Sequence, residues 1–337
     1  MSKVVPNQPL SSLNRILNVA PMMGCTDRHC RYLLRLMAPG TLIYTEMVVA
    51  SALVHGDTDH FLAHHGDAPC ALQVGGSDPQ QLAQIAPLIE TAGYQEINLN
   101  VGCPSDRVQY GGIGACLMAT PGVVADCIAA MQSAVSIPVT VKCRIGIDQS
   151  DSYENFRAFV DTVAQSGCQV FIVHARKAIL KGLSPRDNRK IPPLRYDYVR
   201  RIKQELPDLT FVLNGECQHH NAVSLLREVD GLMYGRSAYN DPWMLARLDS
   251  QLFSTTLPPR EEVMEAYLNY MSDQLDRGVA LKHMARHLLG FYAGCKGARK
   301  FRRLLSEGMF SASADVHTVV RAIQDSGVTS APLMDEA

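Results

Sequence analysis

The ten residues Glu96-Ile97-Asn98-Leu99-Asn100-Val101-Gly102-Cys103-Pro104-Ser105 are the most informative in the chain. Residues 96–101 predict a short buried strand, because an apolar run is bounded there by turn-forming residues. Asn100 comes at the end of that strand, and Cys103 follows in a loop that Gly102 and Pro104 restrict. An amide at a strand tip and a thiol in a stiff loop are typical of a barrel enzyme that presents a reactive pair to a ligand. The alternative is a structural cysteine beside a capping asparagine, since isolated cysteines are usually small core residues.

The composition is that of a soluble globular protein. The 337 residues are 47% hydrophobic and 19% charged, which suits a chain with one large domain and one smaller one. No apolar run is long enough to span a bilayer, and residues 1–10 lack the core of a signal peptide. The ten cysteines form no C-x-x-C pair. We therefore predict reduced thiols in the cytoplasm, and neither a zinc ribbon nor an iron–sulfur cluster.

Strand-like and helix-like stretches alternate through most of the chain, which predicts a parallel sheet covered by helices. Eight strands are predicted, at residues 16–23, 41–47, 70–74, 96–101, 138–144, 170–174, 210–214 and 231–235. Helices are predicted between and after them, at residues 27–37, 78–92, 121–134, 153–166, 195–206, 219–229 and 240–248, whereas residues 47–54 suit either a strand or a helix. Eight such units favour a closed TIM (β/α)8 barrel. A doubly wound sheet is the runner-up, but no G-x-G-x-x-G motif follows an early strand.

The alternating pattern stops at Pro258-Pro259. Helical periodicity without strands follows, at residues 261–275, 280–292 and 297–305. We therefore predict an α/β chain in which a TIM-barrel catalytic domain spans residues 1–254 and a small all-α helical domain spans residues 255–337.

The ends of the predicted strands carry most of the chemistry. The first ends in Pro21-Met22-Met23, and the others end in Glu46, Gln73, Asn100, Lys142 with Arg144, His174, Asn214-Gly215-Glu216 and Gly235-Arg236. Polar groups at the carboxyl ends of barrel strands point into one mouth, so this series predicts an active site there. The glycine-bearing turns after the last two strands predict a backbone cradle for a phosphate, with Arg236 as the counter-charge.

Two basic stretches stand out in a chain of net charge −1. Residues 277–303 hold eight Lys/Arg and no acid, and Lys296, Arg299, Lys300 and Arg303 recur with helical spacing. Residues 174–203 hold ten Lys/Arg against two Asp, and they include the loop that leaves the barrel mouth. A single cluster is usually an ordinary solvated face, but two favour a site for a polyanion.

Several motifs resemble those of a known enzyme family in their residues and in their order along the chain. They are Ala20-Pro21-Met22-Met23, Tyr44-Thr45-Glu46-Met47, Leu72-Gln73-Val74-Gly75-Gly76, residues 96–107, Val141-Lys142-Cys143-Arg144-Ile145-Gly146, His174-Ala175-Arg176-Lys177-Ala178, Asn214-Gly215, Gly235-Arg236 and Gly297-Ala298-Arg299. With these motifs the chain resembles the tRNA-dihydrouridine synthases, specifically their bacterial A subfamily, over about residues 17–305. That subfamily more often has Asp-Trp where this chain has Gly24-Cys25.

The resemblance implies an FMN enzyme that takes electrons from NADPH and reduces uridine in the tRNA D-loop to 5,6-dihydrouridine, at U20 and U20a. It implies that Cys103 protonates C5 of uracil as a general acid while hydride arrives at C6. A thiol suits that task because its ordinary pKa of about 8.5 keeps it protonated at neutral pH. We further expect a cytoplasmic monomer with no metal and no membrane partner.

The resemblance also assigns roles to individual residues. The predicted flavin contacts are Pro21, Met22, Met23, Gln73, Lys142, His174, Asn214, Gly215, Glu216, Gly235 and Arg236. The predicted contacts to uracil or tRNA are Asn100, Arg144, Arg176, Arg189, Lys296, Arg299, Lys300 and Arg303. The main alternative is a small-molecule flavin oxidoreductase of the dihydroorotate-dehydrogenase type, which leaves the basic helical tail unexplained. A tRNA-binding module with vestigial flavin is a second alternative.

Overall fold

The structure is a computed structural model that describes residues 13–64 and 66–330. The predictions for residues 1–10, and the outer limits of the two predicted domains, lie outside the described residues. All ten cysteines are free thiols. Among the described residues, no helix is both long and apolar enough to cross a membrane.

The described residues form nine parallel strands. They are β1 (Leu17–Val19), β2 (Leu42–Tyr44), β3 (Val48–Val49), β4 (Cys70–Gly75), β5 (Glu96–Val101), β6 (Val139–Arg144), β7 (Val170–His174), β8 (Thr210–Asn214) and β9 (Gly231–Tyr234). Each pairs with its neighbours in parallel register, and β1 pairs with both β2 and β9. Eight strands therefore close into a barrel, and β3 is a two-residue addition beside β4. The predicted TIM barrel is confirmed.

Helices follow the strands in sequence. They are α1 (Arg28–Met37), α2 (Ala50–His55), α3 (Thr58–Leu62), α4 (Pro79–Thr91), α5 (Asp106–Tyr110), α6 (Pro121–Gln132), α7 (Tyr153–Ala164), α8 (Tyr196–Glu205), α9 (Ala222–Leu225), α10 (Arg236–Asn240), α11 (Pro242–Phe253), α12 (Arg260–Asp276), α13 (Lys282–Ala285), α14 (Ala298–Gly308) and α15 (Val316–Ser326). Short 3₁₀ helices lie at Gly114–Ala119, Asp187–Arg189, His219–Asn221 and Arg286–Gly290.

Two predicted helices are wrong in length. The helix predicted over residues 219–229 is a 3₁₀ turn followed by the four-residue α9, and a capping box between Gln218 and Asn221 marks the start of the turn. The helix predicted over residues 280–292 divides into α13 and a 3₁₀ segment. Gly290 ends that 3₁₀ segment, and a Cβ there would lie 2.5 Å from the carbonyl oxygen of Asn240, so only glycine allows this close approach.

Other boundaries also differ from expectation. The first strand ends at Val19 rather than at residue 23, just before Pro21, which has no N–H to donate to a ladder. The ambiguous residues 47–54 contain both alternatives, since β3 is followed directly by α2. Helix α15 was not predicted, although the capping box of Asp315 and Thr318 is a sequence signal for its start.

The chain forms two compact units. The first comprises Met1–Met22, Leu42–His64 and Ala68–Tyr234, and it contains every strand. The second comprises Met23–Thr41, His65–Asp67 and Gly235–Ala337, and its described residues form only helices and connections. It thus includes α1, α10 and α11 as well as the helical C-terminal region. The division into domains at residue 255 stays a prediction.

The barrel interior has two chemically different sides. The polar wall consists of Gln73 on β4, Glu96, Asn98 and Asn100 on β5, and Thr140 on β6, all buried. The apolar wall consists of Val170 and Ile172 on β7, Val212 on β8 and Met233 on β9, in one cluster with Tyr44 and Ala71. The alternate residues of β5, Ile97, Leu99 and Val101, are also fully buried on the opposite face of the strand.

Candidate active site

An unbroken hydrogen-bond chain runs along the polar wall. Glu96 Oε1 accepts from Thr140 Oγ1 at 2.7 Å, and Thr140 Oγ1 accepts from Asn98 Nδ2 at 2.8 Å. Asn98 Oδ1 accepts from Gln73 Nε2 at 2.8 Å, and Gln73 Oε1 accepts from Asn100 Nδ2 at 2.7 Å. Because alternate residues of β5 lie on the same face, this hydrogen-bond chain extends toward the carboxyl ends of the strands. Barrel enzymes have their active sites at those ends.

The cysteine loop is held firmly at the end of β5. Asn100 Oδ1 accepts from the backbone N–H of Gly102 at 3.1 Å and of Cys103 at 3.0 Å. The Cys103 carbonyl accepts from Ala115 N at 2.9 Å. Gly114 has φ +81°, and a Cβ there would lie 2.6 Å from that carbonyl oxygen. The loop therefore closes on itself and leaves the Cys103 thiol partly exposed.

Two residues outside the predicted set stabilise the loops at the barrel mouth. Gln109 Nε2 donates to the carbonyls of Pro104, at 2.8 Å, and Leu180, at 3.0 Å. Asn188 is fully buried; its side chain bonds both backbone groups of Ile179, and its carbonyl accepts from Arg144 Nη1 at 3.0 Å. Nothing in their sequence context distinguishes these amides from ordinary loop residues, so sequence reasoning missed them.

Cationic side chains gather at the ends of β6 and β7. Lys142 and Asn100 are register partners, as are Arg144 and His174. Burial and the neighbouring Arg144 lower the pKa of Lys142 to about 8. Burial lowers the pKa of Arg144 to about 10, and the nearby Arg189 and Arg176 act in the same direction. These shifts show positive charges crowded in a poorly hydrated place, which favours an anionic ligand.

The same crowding decides the charge of His174. Burial, followed by the positive charges of Arg144 and Lys142, lowers the pKa of His174 well below its ordinary value. The imidazole is therefore neutral at physiological pH, with one nitrogen donating and the other accepting. His174, a predicted flavin contact, therefore offers a hydrogen-bond donor rather than a positive charge at that pH.

Asn214 and Gly215 lie at the end of β8, beside this cluster. Asn214 Oδ1 accepts from Lys142 Nζ at 3.0 Å, and its Nδ2 donates to the Met233 carbonyl at 2.8 Å. Gly215 has φ +123°, and a Cβ there would lie 2.9 Å from Leu194 Cδ2 and 3.1 Å from His174 Cδ2. Only glycine fits, which keeps the backbone close to His174.

Several predicted residues have partners within the protein. Arg176 is buried, pairs with Glu216 at 2.9 Å and donates to the carbonyls of Lys190 and Pro192. Arg144 donates to the carbonyls of Gly102, at 2.9 Å, and Lys177, as well as to Asn188. Both arginines therefore help to shape the loops at the barrel mouth, whatever else they contact.

The remaining predicted flavin contacts divide between the two units. In the first unit, Pro21 is partly exposed and Met22 packs against the apolar cluster of the barrel interior. In the second unit, Met23 is 65% exposed, and Gly235 caps α10, in which Arg236 is the first residue. Their roles toward a cofactor stay predictions.

The two basic stretches differ in the structure. Most cations of residues 174–203 are paired with acids that lie elsewhere in sequence or on the same helix. The pairs are Arg176–Glu216, Lys177–Asp151, Arg195–Asp197, Arg200–Glu228, Arg201–Glu205 and Lys203–Asp230. This stretch is therefore less positive than its sequence predicts.

The C-terminal stretch keeps its charge over residues 296–303, whereas Arg286 pairs with Asp27. Lys296, Arg299, Lys300, Arg302 and Arg303 are exposed, line an open cavity of about 620 Å³, and form no ion pair with another described residue. We call these five residues the basic patch. Lys296 precedes α14 rather than lying on it, because Gly297 with φ +83° begins that helix. Phe301 and Leu305, on the opposite side, are fully buried. Arg302 was not among the predicted contacts.

Among the described residues, no group of three or more His, Cys, Asp or Glu could hold a metal ion. His287, spaced for a metal with His283, instead lies 3.0 Å from Asp27 Oδ1 and 3.2 Å from the Tyr239 hydroxyl.

Comparisons with known proteins identify the family of the chain. Residues 18–326 match the family model described as dihydrouridine synthase (Dus). A protein of Xanthomonas campestris pv. campestris named tRNA-dihydrouridine(20/20a) synthase is 51% identical over 310 residues, 91% of this chain and 92% of the relative. Proteins of the same name from Pseudomonas putida (51%, 92% of this chain and 94% of the relative) and Escherichia coli K12 (50%, 91% and 90%) are similar to the same extent. The chain therefore belongs to the dihydrouridine synthase family, whose members are flavin-dependent oxidoreductases.

Proposed function

We propose that this protein is a tRNA-dihydrouridine(20/20a) synthase, which reduces uridine to 5,6-dihydrouridine in the D-loop of tRNA with FMN as cofactor and NADPH as electron donor. The relatives that carry this name align with at least nine-tenths of the chain. The observation that carries the proposal is the Cys103 thiol, held in a closed loop at the barrel mouth beside Asn100 and the cationic cluster. A cytoplasmic monomer remains part of the proposal.

The donor set at the mouth fits an anionic flavin. Lys142 and Arg144 are cationic, the neutral His174 offers an N–H, and Gln73 and Asn214 offer amides. We assign Gln73, Lys142 and His174 to the isoalloxazine ring of FMN. We assign Asn214 and Gly215 to its phosphate group. When bound, FMN supplies the hydride that uracil receives at C6.

The protein's own residues provide the rest of the reaction. Hydride at C6 leaves the electron pair of the former C5–C6 double bond on C5 and the C4 carbonyl oxygen. Hydrogen bonds from Asn100 and the nearby cations stabilise that negative charge as it develops. The Cys103 thiol gives its proton to C5, which completes the saturated ring, and the thiolate then recovers a proton from water.

The basic patch is our candidate surface for the tRNA backbone. Its five cations form no ion pair with another described residue, whereas the cations on α8 are paired with acids. We expect the change of Lys296, Arg299, Lys300 and Arg303 together to Gln to weaken tRNA binding by more than about tenfold at low salt and to flatten its salt dependence.

The matched control neutralises four cations that are already paired. Arg195, Arg200, Arg201 and Lys203 changed to Gln remove the same number of charges. Filter binding of unmodified tRNA over a salt series compares the two variants. Equal losses of affinity in both would reject the basic patch as the tRNA surface.

The activity itself is tested with the purified protein. We expect a yellow preparation, or one that binds added FMN, whose visible absorption bleaches on addition of NADPH. Incubation with unmodified tRNA should then add the mass of two hydrogens to the nucleotides at positions 20 and 20a, detected by mass spectrometry of nuclease fragments. A colourless protein that FMN cannot reconstitute, or tRNA of unchanged mass, would refute the proposal.

A further inference from the structure

We infer that Glu96, buried at the start of β5, is a positioning residue that sets the direction of the whole hydrogen-bond chain and thereby the orientation of the Gln73 and Asn100 side chains at the barrel mouth. The inference rests on the proposed function only in stating that these side chains face a flavin or a uracil. The chain itself follows from the contacts of the polar wall.

The direction begins with the carboxylate. Glu96 is fully buried and can only accept hydrogen bonds when it is paired with Arg15, whose Nη2 lies 2.6 Å from Oε2. Oε1 accepts from the Tyr44 hydroxyl at 2.6 Å and from Thr140 Oγ1 at 2.7 Å. The single hydroxyl hydrogen of Thr140 is therefore committed to Glu96, and its oxygen is left to accept.

Each later link follows from the one before it. Since Thr140 Oγ1 accepts, the group of Asn98 that faces it must be the NH₂, and Asn98 Oδ1 must face Gln73. Gln73 therefore donates through Nε2 to Asn98 and accepts through Oε1 from Asn100. This assignment uses only the chemistry of a carboxylate and a hydroxyl, and the lengths of all these bonds lie between 2.7 and 2.8 Å.

The opposite end of the chain requires the same direction. The backbone N–H groups of Gly102 and Cys103 can only donate, so the oxygen of Asn100 must face them. Asn100 Nδ2 then faces Gln73, in agreement with the direction set by Glu96. Both ends of the hydrogen-bond chain require the same direction. Each amide between them therefore has one orientation in which all of these hydrogen bonds are made.

The consequence concerns the ligand. An amide nitrogen carries two hydrogens, and the chain uses one hydrogen on each of Gln73 Nε2 and Asn100 Nδ2. The second N–H of each is available to a carbonyl oxygen of a flavin or a uracil at the mouth. If either amide rotated by half a turn, it would offer an oxygen to that carbonyl and repel it. Glu96 thus determines the orientation of both donors, Gln73 through two intervening side chains and Asn100 through three.

A purely structural role predicts something else. If Thr140 only fills space in the barrel, valine should replace it well, because Val has nearly the same shape, and serine should be worse because it leaves a small void. If Thr140 transmits the direction of bonding, serine should replace it and valine should not. Thr140→Val and Thr140→Ser are therefore a matched pair with opposite expectations.

The first measurement needs no activity. Amide hydrogen exchange at Gly102 and Cys103 in the purified protein reports how firmly Asn100 is held. We expect exchange to be faster by about fivefold to tenfold in Thr140→Val and nearly unchanged in Thr140→Ser. Tyr44→Phe is the control, because it removes one donor to Glu96 outside the chain and should leave this exchange unchanged.

The second measurement follows the ligand. The visible absorption of the bound flavin should shift in Thr140→Val and not in Thr140→Ser, and kcat/KM for dihydrouridine formation should fall at least about tenfold in the former only. If Thr140→Val does not fold, Glu96→Gln serves in its place, since a carboxamide can offer either atom to Thr140 and so removes the fixed direction. Faster exchange at Gly102 and Cys103 in Glu96→Gln would support the inference.

The outcomes are distinguishable. Equal exchange in the Val and Ser variants, a larger effect in Ser, or unchanged exchange in Glu96→Gln would overturn the inference. If the wild-type protein forms no dihydrouridine, the proposed function fails, while the exchange data still decide the direction of the chain.

Discussion

Strands β5 and β7 both place alternate residues inside the barrel, but β5 contributes Glu96, Asn98 and Asn100, whereas β7 contributes Val170 and Ile172 below His174. Both sets are buried to a similar degree, so burial alone does not distinguish them. The apolar wall stabilises by contact, which has no direction and tolerates small rotations. The polar wall stabilises only while every bond in it is made, and in exchange it fixes orientation. The cysteine loop is anchored at the end of the polar wall, where orientation is required.

This comparison predicts that changes near the end of the polar wall affect chemistry far more than stability. Cys103→Ala should lower the rate of dihydrouridine formation by about 10²–10⁴-fold, because the proton donor is lost, while NADPH still bleaches the flavin. Mass spectrometry of tRNA fragments and stopped-flow absorption measure the two steps. Cys116→Ala is the control: this thiol is also partly exposed and donates to the Ile113 carbonyl. A normal rate in Cys103→Ala would remove the thiol from the mechanism.

At the start of the polar wall, by contrast, a substitution should have its main effect on stability. Glu96→Ala leaves Arg15, Tyr44 and Thr140 without their shared acceptor in the barrel interior. Breaking a buried ion pair from one side costs about 3–5 kcal/mol. Urea denaturation followed by circular dichroism should show that loss in the free energy of unfolding. A loss below about 1 kcal/mol would mean that the carboxylate is better hydrated than its burial indicates.

Lys142, on the same strand as Thr140, allows a test by pH. Its pKa of about 8 in the folded protein lies below the ordinary 10.5, so between these values the unfolded chain holds a proton that the folded protein lacks. Stability therefore rises with pH through that window, and the penalty of the buried charge is complete below pH 8. Without flavin, Lys142→Met should be more stable than wild type at pH 7, by at most about 3 kcal/mol, and this advantage should shrink toward pH 10.5. An advantage that is constant from pH 7 to 10.5 would contradict the lowered pKa.

The smallest effect is expected on the apolar wall. Ile172→Val removes one buried methylene group and should cost about 0.5–1.5 kcal/mol of stability. Because no directional bond depends on Ile172, kcat/KM should stay within about twofold of wild type. Denaturation and activity are measured on the same preparation. A large loss of activity without a matching loss of stability would show that the apolar wall also orients the site.

Much of the barrel could be predicted from local signals. The bounds of β5, β7 and β8 agree with the predicted residues, because turn-forming residues delimit each apolar run. The candidate site could be located for a related reason, since polar residues at the ends of parallel strands must meet at one edge of the sheet. The helices predicted over residues 219–229 and 280–292 contain 3₁₀ segments at His219–Asn221 and Arg286–Gly290, and the spacing of apolar residues does not separate a short 3₁₀ turn from an α-helical turn.

The sequence by itself determined the strand order, the position of the thiol after β5 and the positive charge of residues 296–303, because strand runs, turn residues and uninterrupted charge are properties of neighbouring residues. Only the tertiary structure decided that Glu96, Asn98 and Asn100 face the barrel interior, since an alternating pattern separates two faces without stating which one meets water. It also decided that residues 174–203 are largely neutralised, because Asp151, Glu216, Glu228 and Asp230 come from other segments of the chain. Long-range pairing of charges and amides depends on which segments fold against one another, and no local pattern records it.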